Sequence, residues 1–308
     1  MIVRRKRIAV LLLFFSVAIG CQQPSATEAP RSSSGIDGVP ERPVLSAFGS
    51  SVYGRTQFKG KGPGAETQLK VYLPAGEHED GSLGCVLVAP AGTNLLTGSS
   101  ISGEYHDETI PYSDAGFAVV QYSLDGDLSD NATVADLVES YRQFKAAEAG
   151  MANTRNAIAF VKNALPEVDL NRIYTAGHSS AGTVSLLAAA TFDEVKGAIA
   201  FAPCSDVVAF HAEVSADPEF EKMMSGFKEF DLKYCPTRNV SKIGCPVFLF
   251  QAADDRVVTP AETKGFRKVL ESSNDQVTLV EVGSGGHYDS MIKKGIPEAI
   301  KWLKKIDQ

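Results

Sequence analysis

The sequence predicts an α/β fold built on a mostly parallel sheet, and three observations lead to that prediction. From about residue 46 onward, short apolar segments typical of strands alternate with longer segments of helical periodicity. Several of the apolar segments are continuous, which is typical of strands buried on both faces. Strands separated by helices need crossover connections, and these join parallel strands. In such a sheet we expect functional residues on loops at the carboxyl ends of the strands.

The predicted elements follow one another in a regular order. Strands are expected at 69–73, 85–89, 117–122, 172–176, 196–201, 247–250 and 276–282. A long helical stretch covers 133–165, where Gly150 is a candidate break and Pro166 ends the periodicity. Further helices are expected at 180–190, 260–271 and 290–306.

Composition and charge exclude several classes of protein. A chain of 308 residues with 44% hydrophobic and 22% charged residues is not typical of a disordered protein. A net charge of −7 argues against nucleic acid as a partner, because phosphate binding needs a basic surface. The 5 cysteines are too few for a disulfide scaffold, and neither they nor the 5 histidines have the spacing of a metal site. We therefore expect a globular protein without a metal.

The first 45 residues predict an exported protein. A basic segment at 4–7 and an apolar segment at 8–19 have the layout of a signal peptide over 1–20. The residues around Cys21 are similar to the lipobox of bacterial lipoproteins, whose cysteine carries the lipid; a plain secretory signal is the alternative. Residues 21–45 have the composition of a flexible tether. Without the leader, 26 basic residues face 37 acidic ones, a net charge of −11.

An irregular insertion at 204–241 interrupts the alternation of strands and helices. Its many Phe and Met residues predict an apolar lid over a pocket, and a small core of the insertion's own is an equal alternative. Cys204 and Cys235 flank the insertion and are candidates for a disulfide if the protein is exported. Cys85 and Cys245 are expected near the starts of strands.

A serine follows one predicted strand in a sharp turn. The segment 177–182 (GHSSAG) leads directly into a helix, so the order is strand, tight turn and helix with a serine at the apex. We predict Ser179 as a nucleophile, because small residues stand two positions before and after it, although Ala181 replaces the usual second glycine. Ser180 is the alternative, and it would put His178 at the crowded position. With Ser179 as the nucleophile, the Ser180 N–H is a predicted oxyanion donor.

A nucleophilic serine needs a base, and the base needs an orienting carboxylate. The strand at 247–250 is followed by Asp254, which we predict as the acid, and by Asp255 as the alternative. The strand at 276–282 is followed by a glycine-rich loop and His287, which we predict as the general base. The order of serine, aspartate and histidine is typical of this catalytic arrangement on a parallel sheet.

The loop after the strand at 85–89 is the expected source of a second oxyanion donor. Gly92 occupies the glycine position of that loop, so we predict the Thr93 N–H as the donor. Three residues are candidates for substrate binding, namely Gly92, His178 and Arg256. Arg256 follows the predicted acid and has the chemistry to hold a carboxylate or a carbonyl oxygen.

These motifs together resemble the α/β-hydrolase superfamily, and in particular its dienelactone hydrolase and prolyl oligopeptidase-like branch. The resemblance rests on the segments 171–182, 254–260 and 286–287, and it covers about residues 68–305. It implies an α/β-hydrolase fold with a mostly parallel central sheet, helices on both faces and a small lid insertion. It also implies one catalytic domain over 46–308. By that similarity, nucleophile, acid and base correspond to Ser179, Asp254 and His287.

The resemblance implies a serine hydrolase that needs no cofactor. We expect hydrolysis of carboxylic esters through an acyl-enzyme, because no β-propeller of the kind that filters peptides precedes the domain. The alternatives are a peptidase for short peptides and, less favoured, a non-catalytic binding protein. The expected partners are a small-molecule ester or a short peptide, and a membrane through the N-terminal lipid only. The expected location is the bacterial cell envelope, on the periplasmic side, and the oligomeric state stays open.

Overall fold

The structure, a computed structural model, describes residues 38–101 and 106–307. The predicted signal peptide at 1–20, the predicted lipid site at Cys21 and most of the tether at 21–45 lie outside the described residues. Within those described ranges, no helix combines the length and the apolar character needed to cross a membrane.

In the described part of the chain, nine strands form a single sheet with the order β1-β2-β3-β5-β4-β6-β7-β8-β9. The strands are β1 (Ser46–Phe48), β2 (Ser51–Gln57), β3 (Gln68–Pro74), β4 (Leu83–Val88), β5 (Ala118–Tyr122), β6 (Val168–His178), β7 (Val195–Phe201), β8 (Val247–Ala252) and β9 (Val277–Val282). The pairs β1–β2, β2–β3 and β3–β5 are antiparallel. The six strands on the other side of the sheet pair parallel, in the order β5, β4, β6, β7, β8 and β9. The predicted mostly parallel sheet is confirmed.

The strands β1 and β2 were not among the predicted strands. They form an antiparallel hairpin at one edge of the sheet, with Ser46 opposite Tyr53 and Phe48 opposite Ser51. Both are only partly buried, and neither shows the continuous apolar run of a central strand or a clean alternation. An edge strand of this kind leaves little signal in the sequence.

Helices cover both faces of the sheet, as predicted. They are α1 (Ile110–Asp114), α2 (Val134–Ala146), α3 (Met151–Ala164), α4 (Ser180–Thr191), α5 (Val207–Phe210), α6 (Ala212–Ser215), α7 (Pro218–Met223), α8 (Phe227–Lys233), α9 (Pro260–Leu270) and α10 (Ile296–Ile306). The strand β4 is apolar throughout because it is buried on both faces. Cys85 and Leu87 belong to the core under α2 to α4, whereas Val86 and Val88 belong to the core under α1 and α10.

The long helical stretch predicted at 133–165 is two helices, and the break lies at the predicted glycine. Glu148, Ala149 and Gly150 all have positive φ, at 57°, 55° and 85°. Such a turn favours glycine, and a Cβ on Gly150 would lie 2.6 Å from the side chain of Leu124. The helix α2 therefore ends and α3 begins at this turn, where Gly150 packs closely against the loop after β5.

The insertion at 204–241 folds into α5 to α8 and two 3₁₀ turns, Pro236–Arg238 and Val240–Lys242. Its buried Phe220, Phe227 and Phe230 are continuous with the main core. The ring of Phe230 lies 6.0 Å from that of Phe144 on α2. The insertion is thus packed onto the body of the domain. The thiols of Cys204 and Cys235, the predicted candidates for a disulfide, are both free.

Candidate active site

Ser179 occupies the turn between β6 and α4. Its backbone has φ 54° and ψ −120°, a conformation that costs a residue with a side chain about 1–3 kcal/mol. Two hydrogen bonds hold it there: its N–H donates to Phe201 O on β7 (2.9 Å), and its carbonyl accepts from Thr183 N (3.2 Å). Ser179 is 5% exposed. A strained serine at the end of a central strand is the arrangement predicted for a nucleophile.

The residues around the serine explain why the turn closes so tightly. A Cβ on Gly177 would lie 2.3 Å from the backbone carbonyl of Ala181, so only glycine fits at that position. A Cβ on Gly182 would lie 3.1 Å from Gly177 O and from Pro203. The methyl group of Ala181 is buried within this turn. An alanine thus replaces the second glycine without opening the turn.

His287 and Asp255 form a hydrogen-bonded pair beside the carboxyl end of β8. His287 Nδ1 lies 2.8 Å from Asp255 Oδ2. The other carboxylate oxygen accepts the N–H groups of Val257 (2.8 Å) and Val258 (3.2 Å). Burial raises the pKa of Asp255, but the hydrogen bond from His287 and those from the two backbone N–H groups outweigh it, so the pKa lies below its usual range. Asp255 is therefore a carboxylate at neutral pH.

The structure corrects the predicted acid. The exposed Asp254 accepts hydrogen bonds from Gly285 N (3.1 Å) and Gly286 N (2.8 Å) rather than from the ring of His287. Those two backbone donors also hold the pKa of Asp254 below its usual range. Consecutive side chains in this turn point to different partners, and it is Asp255, the alternative, that reaches the histidine. Asp254 instead binds the backbone of the glycine-rich loop that carries His287.

The second ring nitrogen of His287 has no hydrogen-bond partner among the described residues, although the atom is buried. Because a carboxylate only accepts, Nδ1 of a neutral His287 carries the proton and Nε2 carries the lone pair. A buried nitrogen without a hydrogen-bond partner costs free energy, and such atoms in proteins often have a catalytic role. Nε2 of His287 is therefore available to take a proton.

His178, a predicted substrate-binding residue, is buried behind His287. It is 4% exposed, its ring centroid lies 4.3 Å from that of His287, and its Nε2 donates to His287 O (2.9 Å). Burial, followed by the charge of His287, lowers the pKa of His178 to about 3. His178 is thus a neutral donor that holds the backbone of His287.

The two predicted oxyanion donors meet at the start of α4. Thr93 N donates to Ser180 Oγ (3.1 Å), which places the loop at 90–95, here called the oxyanion loop, against the turn that holds Ser179. The Ser180 N–H opens the helix and has no acceptor within it. Gly92 has φ +87°, and no atom lies within 4 Å of its missing Cβ, so the loop is open to solvent at that position.

Arg256, the third candidate for substrate binding, is exposed beside Asp255.

A cavity of about 630 Å³ lies at the carboxyl end of β5, on the same edge of the sheet as Ser179. Its lining residues include Ser123, Asp127 and Arg142. Neither Ser179 nor His287 lines this cavity. Within the ranges that the structure describes, no group of three or more side chains has the arrangement of a metal site.

Comparisons with solved structures show the same fold. An acetyl xylan esterase from Paenibacillus sp. R4 has 17% identity and a TM-score of 0.61, over 84% of this chain and 87% of that one. An esterase from an Arctic intertidal metagenomic library has 16% identity and a TM-score of 0.59, over 85% and 96%. An acylaminoacyl peptidase from Pyrococcus horikoshii has 17% identity and a TM-score of 0.60, but only 41% of its chain is covered, against 83% of this one.

The sequence of this chain matches no curated protein. The model of the prolyl oligopeptidase family matches residues 106–307, which is more than half of the chain and contains Ser179, Asp255 and His287. The chain therefore belongs to the prolyl oligopeptidase family, a family of serine hydrolases on the α/β-hydrolase fold.

Proposed function

We propose that this protein hydrolyses carboxylic esters, with Ser179 as nucleophile, His287 as general base and Asp255 as the carboxylate that orients the base. One observation carries the proposal: the Nδ1 of His287 is bound to Asp255 while its buried Nε2 has no partner among the described residues. That arrangement fixes the tautomer and leaves the basic nitrogen free for a serine proton.

In the proposed reaction, Ser179 Oγ attacks the ester carbonyl and its proton passes to Nε2 of His287. Asp255 stabilises the imidazolium through the bond to Nδ1. The negative charge on the carbonyl oxygen is bound by the N–H groups of Ser180 and Thr93, and the oxyanion replaces the Ser180 hydroxyl as the acceptor of Thr93 N. The proton then moves to the leaving alcohol, and water, activated by His287, releases the acid.

The ester substrate is favoured by the names of two similar structures, an acetyl xylan esterase and an esterase from an Arctic metagenomic library. A peptidase for short peptides is the second candidate, because the matching family is that of prolyl oligopeptidase. Export, and a lipid on Cys21 that holds the enzyme in the cell envelope, belong to the proposal on the basis of the sequence alone.

Parallel assays of the purified chain on p-nitrophenyl esters and aminoacyl p-nitroanilides test the proposal. We expect turnover of esters, labelling by a fluorophosphonate probe, and loss of both in Ser179→Ala. Activity on the anilides alone would replace the esterase with a peptidase. Equal labelling of wild type and Ser179→Ala, or no labelling of either, would refute the catalytic assignment.

A further inference from the structure

The insertion contains a second histidine–carboxylate pair, remote in sequence from the first. His211, at the junction of α5 and α6, is 1% exposed, and Asp231 on α8 is 4% exposed. Nδ1 of His211 lies 2.9 Å from Asp231 Oδ2. Nε2 of the same ring lies 2.9 Å from the backbone oxygen of Asn94 in the oxyanion loop. The pair thus connects the insertion to the residue that follows Thr93.

The partners of His211 determine how many protons the pair holds. A backbone carbonyl only accepts, so Nε2 of His211 carries a proton and donates it to Asn94 O. The bond between Nδ1 and Asp231 then needs one more proton, carried either by the ring as an imidazolium or by a neutral carboxyl group. In both cases His211 and Asp231 together hold one proton that a neutral histidine and a free carboxylate would lack.

The oxyanion loop is held by the insertion at a second point. Leu95 has φ 61°, a left-handed conformation that is strained for a residue with a side chain. Its buried side chain packs with Val207 and Cys235, both in the insertion. A strained loop keeps its conformation only where its surroundings hold it, and here the insertion supplies both the packing on Leu95 and the bond to Asn94 O.

We infer that His211 and Asp231 are positioning residues for the oxyanion hole, and that their shared proton is required to keep the Thr93 N–H in place. The inference rests on the proposed function, since it assigns a role to the loop that would bind the oxyanion. The insertion then supports the reaction by fixing one of its donors.

The groups around the pair favour retention of the proton. Glu221 and Tyr141 interact electrostatically with Asp231, Glu229 interacts with Tyr141, and Cys204 interacts with Asp231. Burial raises the pKa of Tyr141 and of Cys204, so both stay neutral well into the alkaline range. After loss of the shared proton at alkaline pH, the ring has one N–H left and cannot donate to both Asp231 and Asn94 O. When that proton sits on Nδ1 and binds the carboxylate, the Nε2 lone pair faces Asn94 O and the bond that joins insertion and loop is lost.

Two substitutions separate positioning from general stability. His211→Leu removes the bond to Asn94 O, and we expect kcat for an ester to fall about 10- to 100-fold with KM changed less than about threefold. Asp231→Asn provides an amide N–H for a neutral His211, so it keeps both bonds without the shared proton. We expect the kcat of the wild type to fall at alkaline pH as the shared proton is lost. We expect Asp231→Asn to retain kcat within about threefold at pH 7 and not to show that fall.

Lys145→Met is the matched control. Lys145 Nζ donates to Ser225 O, so this substitution also removes a hydrogen bond between the insertion and the body, but one that does not reach the oxyanion loop. We expect its kcat and pH profile to equal those of the wild type. Amide hydrogen exchange at 92–97 gives a readout independent of turnover, and we expect it to be about tenfold faster in His211→Leu than in Lys145→Met.

The outcomes distinguish this inference from the proposed function. Absence of turnover and labelling in the wild type contradicts the proposed function, and the role in positioning an oxyanion donor falls with it. An active wild type with unchanged kcat and unchanged exchange in His211→Leu contradicts the inference alone. If His211→Leu does not fold, Asp231→Asn decides: the same alkaline decline as in the wild type overturns the role of the shared proton.

Discussion

The molecule contains two histidine–aspartate pairs joined through Nδ1 of the ring, and the two pairs differ in their surroundings. Nδ1 lies 2.8 Å from the carboxylate in the His287–Asp255 pair and 2.9 Å in the His211–Asp231 pair. Nε2 of His287 has no partner among the described residues, whereas Nε2 of His211 is bound to a backbone carbonyl. A pair with a free nitrogen can transfer a proton, whereas a pair bound at both nitrogens can only hold one.

The two carboxylates also differ in their hydrogen-bond partners and in the direction of their pKa shifts. Backbone N–H groups reach Asp255 Oδ1 and help to lower its pKa, whereas Oδ1 of Asp231 is buried without a partner in the described ranges, and burial raises its pKa. The surroundings of each pair therefore decide whether the contact serves chemistry or architecture.

Substitution of the base is expected to have the largest effect. His287→Gln removes the nitrogen that takes the serine proton, and we expect kcat/KM for an ester to fall by about 10⁴-fold or more. His211→Leu, by comparison, should cost about 10- to 100-fold. Initial rates over a range of substrate concentrations measure both. A loss in His287→Gln no larger than that in His211→Leu would remove the functional distinction between the pairs.

The two neighbouring aspartates provide the next test. Asp255→Asn offers an N–H to Nδ1 of His287 and so favours the wrong tautomer, and we expect kcat to fall by about 10³- to 10⁴-fold. Asp254→Asn changes a side chain that accepts from Gly285 and Gly286 and does not reach the ring of His287, and we expect a loss of no more than about tenfold. The larger loss in Asp254→Asn would restore Asp254 as the acid.

The pH dependence of stability should have opposite signs at the two carboxylates. The pKa of Asp255 is lowered on folding, so its contribution is present above the unfolded value near 4 and is lost as pH falls through the folded pKa. The pKa of Asp231 is raised, so its effect on stability becomes unfavourable as pH rises from the unfolded value through the folded one.

Melting temperatures between pH 3 and pH 7 measure this contrast. The wild type should exceed Asp255→Asn by a margin that grows as pH rises, and its margin over Asp231→Asn should shrink over the same range. Parallel curves for the two variants would mean that the two carboxylates are in equivalent electrostatic environments.

Local sequence patterns were sufficient for part of the fold and part of the site. The turn at Ser179 was predictable because strand, small residues and helix are contiguous, and Gly177 is required by a contact only four residues away. The break at Gly150 was visible for the same reason. His287 was marked by the glycines that precede it, since a flexible loop after a strand is a local feature.

The remaining features depend on contacts that spacing does not encode. Asp254 and Asp255 are adjacent, and the choice between them depends on the path of the chain after β8, where Ala253 N donates to Val282 O on the neighbouring strand. His211 and Asn94 are 117 residues apart, and their contact depends on how the insertion packs. A single histidine among short helices gives no periodic signal for such a bond.

The smallest expected effect concerns the strained backbone beside each pair. Ser179 and Leu95 both have positive φ, at 54° and 61°. Ser179→Gly should be more stable than Ser179→Ala by about 1 kcal/mol, because glycine relieves the strain and alanine keeps it. Leu95→Gly should instead be destabilising, by about 1–3 kcal/mol net, because it removes a buried side chain that packs with Val207 and Cys235. Urea unfolding of the four proteins, wild type included, measures both differences. A gain in stability for Leu95→Gly would show that the insertion does not hold the oxyanion loop through Leu95, and equal stability of the two Ser179 variants would show that the turn is not strained.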